Sequence, residues 1–550
     1  MHDYDWIVVG SGFGGSLAAL RLAEKGYRVA VLEAGSRLTP DDFPRSAWDV
    51  RRYFYAPKLG CRGLFRMTLF KDAFITSGAG VGGGSLVYAM TLYRPHDMAF
   101  FTDPQWVDLA GWYEELAPHY DTAERMLGVV DYEGHGAAER VLESLGRDLG
   151  VADTFRNARV GAFFGPAGEE VPDPYFDGEG PARTGCIRCG RCLLGCNVGA
   201  KNSLDFNYLW LAERHGVEIV PDRTVTDVRP LGDGDGREGY EVLSERSGAW
   251  LRHDRRTLTA AGVVLAAGTL GTNALLAKCK HSGSLARVSE RLGDLVRTNS
   301  EAVLAVTAKH SGQDYANDTI AITSSIYPTA DTHIETFTYG RGADVMSAMM
   351  TMLTPGGGRI TRPLKLLAEI VRHPLAFIRI CWPFGWSKKT LLLLVMQSAD
   401  NSIRLVPKRR IFGRGIRLQT AQGEKPNPTF IPIANEAARR IAEQIDGIPQ
   451  SSIFEALASV PTTAHILGGA PIGATPDTGV IDDRQRVFGY ENLLITDGAA
   501  VAANVGVNPS LTITALAERA MSFVPDKRSQ ATATGQPRTR SEVRKEGARR

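Results

Sequence analysis

Uninterrupted apolar runs alternate along this chain with glycine-rich turns. Residues 5–10 (Asp-Trp-Ile-Val-Val-Gly) predict a buried strand, and residues 28–33 (Arg-Val-Ala-Val-Leu-Glu) a second one. Between them, residues 14–25 predict a helix, with Leu17, Leu20 and Leu22 among small alanines. Strand, helix and strand within roughly 30 residues is the βαβ unit of a parallel sheet. Residues 99–127 and 137–149 predict mostly helix, and 163–185 a loop rich in Gly, Pro and Asp. Residues 217–271 alternate short strands with turns and end in a buried run, Val263–Ala267, that enters a glycine turn at Gly268. Residues 300–460 differ: they mix β-branched segments with an apolar but cationic stretch at 363–389, the pattern of a separate domain. Glycine-punctuated strand and helix return at 462–520. From 526 the apolar residues cease, and eight basic residues against three acidic ones predict a disordered basic tail over 526–550.

With 550 residues the chain exceeds one ordinary core. Hydrophobic residues at 43% and charged residues at 23% fit a globular protein. A net charge of +2 gives no footprint for nucleic acid, so no nucleic-acid partner is expected. The opening Met-His-Asp-Tyr-Asp lacks the basic region of a secretory signal, and no apolar run approaches the ~20 residues of a membrane span. A cytoplasmic protein is expected, with peripheral contact to a membrane as the variant.

The first turn, Gly10-Ser11-Gly12-Phe13-Gly14-Gly15, matches G-x-G-x-x-G through Gly10, Gly12 and Gly15. Such glycines allow a tight turn, close approach of a pyrophosphate and close packing of helix on strand. The helix N-terminus then offers free N–H groups to phosphate. Glu33 ends the second strand, where a carboxylate accepts ribose hydroxyls. The unit's position at the start of the chain, followed by Glu33-Ala34-Gly35, leans towards FAD over NAD. A second block, Gly78-Ala79-Gly80-Val81-Gly82-Gly83-Gly84-Ser85-Leu86, holds more glycine than a turn needs and predicts backbone lying against a flat or phosphorylated ligand.

These two blocks, together with Ala266-Ala267-Gly268-Thr269, His465–Gly469, Asp497-Gly498 and Gly506-Val507-Asn508-Pro509, resemble the glucose–methanol–choline (GMC) oxidoreductases. Within that family the chain is similar to bacterial, mycobacterial-type cholesterol oxidases, from residue 4 to about 525. The resemblance implies an α/β fold in which a Rossmann-like FAD-binding domain is interleaved with a substrate-binding domain built on a mostly antiparallel sheet. The expected division is FAD domain 1–299 with an inserted cysteine-rich loop at 183–203, substrate domain 300–460, and FAD domain again at 461–525. It further implies that Gly82, Gly83, Gly84 and Ser85 line the isoalloxazine, and that Asp497 and Gly498 hold the ribityl chain or pyrophosphate.

Oxidising an alcohol requires a base for the hydroxyl proton and an acceptor for the carbon-bound hydride. Histidine titrates in the right range for the base. On spacing alone His465, in Thr463-Ala464-His465-Ile466-Leu467-Gly468-Gly469, is more often a satisfied core histidine than a catalytic one. The resemblance makes His465 the catalytic base and Asn508 the amide that holds the substrate oxygen. Glu335, in Thr332-His333-Ile334-Glu335-Thr336, corresponds in that comparison to the carboxylate of steroid double-bond isomerisation, with His333 as a neighbouring alternative and an exposed strand carboxylate as the plain reading. Tyr88 stands where many family members carry asparagine, which sets oxidase behaviour in question.

Of seven cysteines, four fall at Cys186-x2-Cys189-x2-Cys192-x3-Cys196, the spacing of bacterial ferredoxins with Asn197 in place of the usual proline. Iron–sulfur, zinc, disulfide pairs and free thiols all remain open from this spacing; some similar GMC dehydrogenases carry an iron–sulfur cluster beside the flavin. Residues 363–389 combine apolar side chains with Lys365, Arg372, Arg379, Lys388 and Lys389, which suits either a lid on a membrane surface or a core helix. The expected activity is FAD-dependent oxidation of a hydrophobic alcohol, foremost a 3β-hydroxysteroid such as cholesterol, with Δ5–Δ4 isomerisation attached. The alternative is a dehydrogenase of another large alcohol that passes electrons through an iron–sulfur centre to an acceptor protein instead of oxygen.

Overall fold

A computed structural model of the chain describes residues 2–310, 312–410 and 415–527. From residue 528 the basic tail expected over 526–550 lies outside the described residues.

The apolar runs become the centre of a seven-stranded sheet. Strand Tyr4–Val9 pairs in parallel with Val29–Leu32 on one side and Arg256–Leu265 on the other. Glu218–Val220 extends the first edge, and Leu493–Ile495 pairs in parallel with the end of Arg256–Leu265. An antiparallel meander of Arg223–Pro230 and Tyr240–Arg246 completes it. Helix Phe13–Glu24 crosses this sheet, nearly all of it buried. A strand covered on both faces needs no polar alternation, which is why Trp6–Val9 and Val29–Leu32 read as continuous apolar runs.

A second seven-stranded sheet is wholly antiparallel. Its order is Met350–Met352, Gly447–Ser452, Ala302–Ala308, Thr390–Gln397, Thr332–Phe337, Ile322–Thr329 and Arg156–Asn157. Side chains alternate across it with period two. Leu391, Leu393 and Val395 point to one face, into a core shared with helices Ala137–Asp148 and Pro432–Gln444. Leu392, Leu394 and Met396 belong to the main core on the other face, towards the first sheet.

Two expectations change. Residues 99–127 are helical only over Trp112–Met126. Before that the chain runs in turns, because Pro104 interrupts it, Asp103 accepts from the Gln105 N–H, and the indoles of Trp106 and Trp112 donate to the carbonyls of Phe100 and Trp106. The stretch 363–389 forms two amphipathic helices, Thr361–Arg372 and Pro374–Cys381, and a short third, Trp386–Lys389. They bury Leu366, Ile380 and Trp386 but leave Leu364, Leu367, Val371, Leu375, Ile378, Trp382 and Phe384 each more than half exposed. Among the described residues no helix is long and apolar enough to cross a membrane.

Candidate active site

One cavity of about 860 Å³ runs between the two sheets. The turn Gly10–Phe13, Glu33 and Ala34 line its first end. Gly10 has φ +100°, and a Cβ there would lie 2.3 Å from the Ala266 carbonyl oxygen, so only glycine closes the turn against the neighbouring strand. Gly15 packs on the Gly10 carbonyl in the same way. At Gly12 a Cβ would meet nothing within 4 Å, so bare backbone and the start of helix Phe13–Glu24 face open cavity. Glu33 is buried; it accepts from the Ser11 N–H (3.0 Å), the Ser11 hydroxyl (2.7 Å) and the Gly35 N–H (2.8 Å). A carboxylate has lone pairs beyond these three. Helix N-terminus, bare glycine and buried acid together form a donor and acceptor set that fits FAD.

Of the second glycine block, Gly83 and Gly84 line the cavity, whereas Gly82 and Ser85 do not. The Ser85 hydroxyl donates to the Gly82 carbonyl (2.7 Å) and accepts from the Leu204 N–H (3.0 Å), so it shapes the turn. Asp497 and Gly498 line the middle of the cavity. Asp497 accepts from the Thr272 hydroxyl and the Ala499 N–H, and burial pushes its pKa up to about 6. Tyr88 also lines the cavity, its hydroxyl donating to the Asn202 carbonyl (2.9 Å).

His465 and Asn508, distant in sequence, face the cavity together. Beyond them the wall turns apolar, with Val303, Phe337, Met346, Met350, Leu392 and Leu394. Glu335 stands behind Asn508 instead of in the wall: the Asn508 amide donates to it at 3.2 Å. Burial pushes the Glu335 carboxyl up to about 8; the Asn508 amide opposes this and the Glu301 charge adds to it. The plain reading of Glu335 as an exposed strand carboxylate is therefore corrected. His333 is buried too, stacked on Tyr327 at 4.5 Å with Tyr93 at its edge. Burial pushes its pKa down to about 3, which keeps it neutral and unsuited to proton transfer near pH 7.

Glu301 belongs to the site and carries no motif. Its carboxylate lies 3.0 Å from His465 Nδ1 and lines the same cavity. No sequence signal marks it: it precedes an ordinary apolar strand, and the chain folds back to meet it.

The described residues do not support the iron–sulfur and zinc readings. Cys186, Cys189, Cys192 and Cys196 do surround one pocket with Met90, Lys201 and Ile320, but its volume is about 20 Å³, room for about one water. Among the described residues no three ligands come together to hold a metal. The loop is tied to neighbouring segments: Gly190 N–H donates to the Thr319 carbonyl, and the Asn197 amide donates to the carbonyls of Pro40 and Phe43. The cysteines are free, and burial pushes the Cys186 thiol up to about 11 and raises Cys192 further, so the protonated thiol is favoured.

The GMC oxidoreductase family matches residues 410–517, and the NAD(P)-binding Rossmann-like domain matches residues 8–47. The chain is 49% identical to a cholesterol oxidase of Mycobacterium tuberculosis over 536 residues, covering 96% of this chain and 92% of that one. It is 44% identical to a cholesterol oxidase of Acinetobacter baumannii over 531 residues, covering 96% and 95%. Among solved structures it is similar in fold to a pyridoxine 4-oxidase from Mesorbium loti, with TM-score 0.60 and 16% identity over 94% of this chain and 99% of that one.

Proposed function

The chain belongs to the GMC oxidoreductases as an FAD-dependent enzyme acting on CH–OH donors, and from that premise we propose that it oxidises the 3β-hydroxyl of a sterol such as cholesterol to a ketone, with oxygen as final acceptor. The observation that carries this reading is a single cavity: His465 and Asn508 line it together with the nucleotide-side glycines and with Val303, Phe337, Met346, Met350, Leu392 and Leu394. The names of the two relatives support the sterol and the oxidase chemistry.

When bound, FAD supplies the two-electron acceptor for the hydrogen leaving the carbinol carbon. His465 takes the hydroxyl proton. Nδ1 is buried towards Glu301, which leaves Nε2 to face the substrate. Asn508 gives one amide hydrogen to Glu335 and has a second for the substrate oxygen, holding it in place while charge develops on it. The apolar wall encloses a large flat substrate and excludes water, which strengthens these polar contacts. In this reading residues 300–460 are the substrate domain, set between FAD-binding segments 1–299 and 461–525.

Glu335 is our assigned proton carrier for the Δ5–Δ4 isomerisation. Its support is a buried acid whose Oε1 lacks a partner among the described residues while its Oε2 accepts from the Asn508 amide beside the cavity. The exposed apolar face of 361–384 supports peripheral contact with a lipid surface as the source of the sterol: helix Pro374–Cys381 packs on strand Met350–Met352, whose Met350 lines the cavity.

Product analysis tests the proposal. The FAD-loaded protein is given cholesterol, its 3α-epimer and a long-chain primary alcohol. The expected product is the conjugated 3-ketosteroid from cholesterol, with little from the others. Faster oxidation of the primary alcohol overturns the sterol assignment, and an unconjugated ketone as sole product overturns the isomerase role.

A further inference from the structure

Glu301 is the least anticipated residue of the site and the most constrained. Its side chain is fully buried, and its carboxylate accepts from the Thr463 hydroxyl at 2.9 Å and from the Ala464 N–H at 3.1 and 3.2 Å. It reaches there through two successive non-glycine residues in the left-handed region, Asn299 at φ +59° and Ser300 at φ +44°. Such backbone persists only where the surroundings hold it. Here they do: Asn299 N–H donates to the Asn504 side chain, the Asn299 amide donates to the Val507 carbonyl, and Gly506 N–H donates back to Asn299. The Asn401 amide donates to the Ser300 hydroxyl. The strained turn that aims Glu301 is therefore bolted to the loop that carries Asn508.

We propose that Glu301 is the positioning residue of His465: its carboxylate holds the imidazole in the tautomer with hydrogen on Nδ1 and leaves Nε2 free to accept the substrate's hydroxyl proton. This rests on the alcohol-oxidising reading given above. The ring is tilted so that the 3.0 Å contact is not in line for a hydrogen bond, an arrangement that commonly tightens when substrate binds. In the reaction the O–H bond breaks towards Nε2. The carbinol hydrogen leaves as hydride for bound FAD, and the carbon–oxygen double bond forms. The proton gives His465 a positive charge, which the Glu301 carboxylate offsets beside it. The other titratable groups around the pair are Glu335, Tyr339 and His333; burial is the leading influence on each and favours its neutral form.

Nitrogen NMR of histidine-labelled, FAD-loaded protein provides the test, with the His465 signals assigned by their loss in His465→Asn. In the wild type the neutral ring carries hydrogen on Nδ1; hydrogen on Nε2 instead overturns the proposal without any Glu301 variant. In Glu301→Gln the preference of the neutral ring for hydrogen on Nδ1 is lost, and Glu301→Asp, which keeps the carboxylate, restores it. Anaerobic flavin reduction by cholesterol slows about 100-fold in Glu301→Gln, while the concentration for half-maximal rate stays within about threefold. A Glu301→Gln protein with the wild-type tautomer and rate overturns the proposal. If the tautomer depends on Glu301 but no sterol or alcohol bleaches the wild-type flavin, the pairing stands and the functional reading fails.

Discussion

Glu335→Gln separates a buried neutral acid from a buried charge. Burial moves the Glu335 carboxyl from the ordinary 4.5 up to about 8. Between those values the unfolded chain carries the charge and the folded chain does not. The unfolded state therefore binds fewer protons, and stability falls with rising pH by about 1.4 kcal/mol per unit, roughly 5 kcal/mol from pH 4.5 to 8. Glutamine matches the protonated acid in shape and still accepts the Asn508 amide, so at pH 5 the variant differs from wild type by less than about 1 kcal/mol. Near pH 8 the wild type has lost that stability and the variant has not. The apparent Tm of the two FAD-loaded proteins, scanned at equal rates from pH 5 to 8.5, reads the difference, in which titrating groups not coupled to Glu335 cancel. A gap that opens from near zero to several degrees in favour of glutamine is expected. A gap that stays constant across that range means Glu335 does not titrate there, and the argument from its burial falls.

The nucleotide end and the exposed face yield two further predictions. Gly12→Ala places a methyl group in open cavity, so the protein folds but loses FAD on gel filtration, whereas Gly10→Ala drives a Cβ to 2.3 Å from the Ala266 carbonyl and reduces folded yield itself; a Gly12→Ala protein that keeps stoichiometric FAD contradicts the placement. The FAD-loaded protein floats with vesicles containing anionic lipid, and the triple variant Leu375→Asp, Ile378→Asp, Trp382→Asp does not, while its turnover of detergent-dispersed sterol is retained; equal flotation of both proteins excludes this face as the lipid contact.

What the sequence carried by itself was local. The first βαβ unit announces itself because its strands are buried on both faces and its turn demands glycine at fixed positions, so Gly10, Gly12 and Gly15 could be read without any long-range contact. His465 and Asn508 each sit in a short motif and the fold brings them to one wall. Glu301 could not be read, since its meaning comes from a turn locked by Asn504 and Val507 far along the chain. Glu335 could be placed on a strand, but only the register of that strand and the Asn508 amide put it behind the cavity wall. The cysteine spacing was equally plain, but spacing sets only how close four sulfurs can come, and among the described residues no three ligands group to hold a metal.

The central claim is that a sterol hydroxyl gives its proton to His465 as its hydride leaves for FAD. Stopped-flow bleaching of the flavin by cholesterol under anaerobic conditions tests it in one step, in wild type and in His465→Ala carrying equal FAD. The account predicts complete bleaching of the wild type and a rate about 100-fold or more lower in the variant. Bleaching of His465→Ala at the wild-type rate, or a wild-type flavin that cholesterol leaves oxidised, contradicts it.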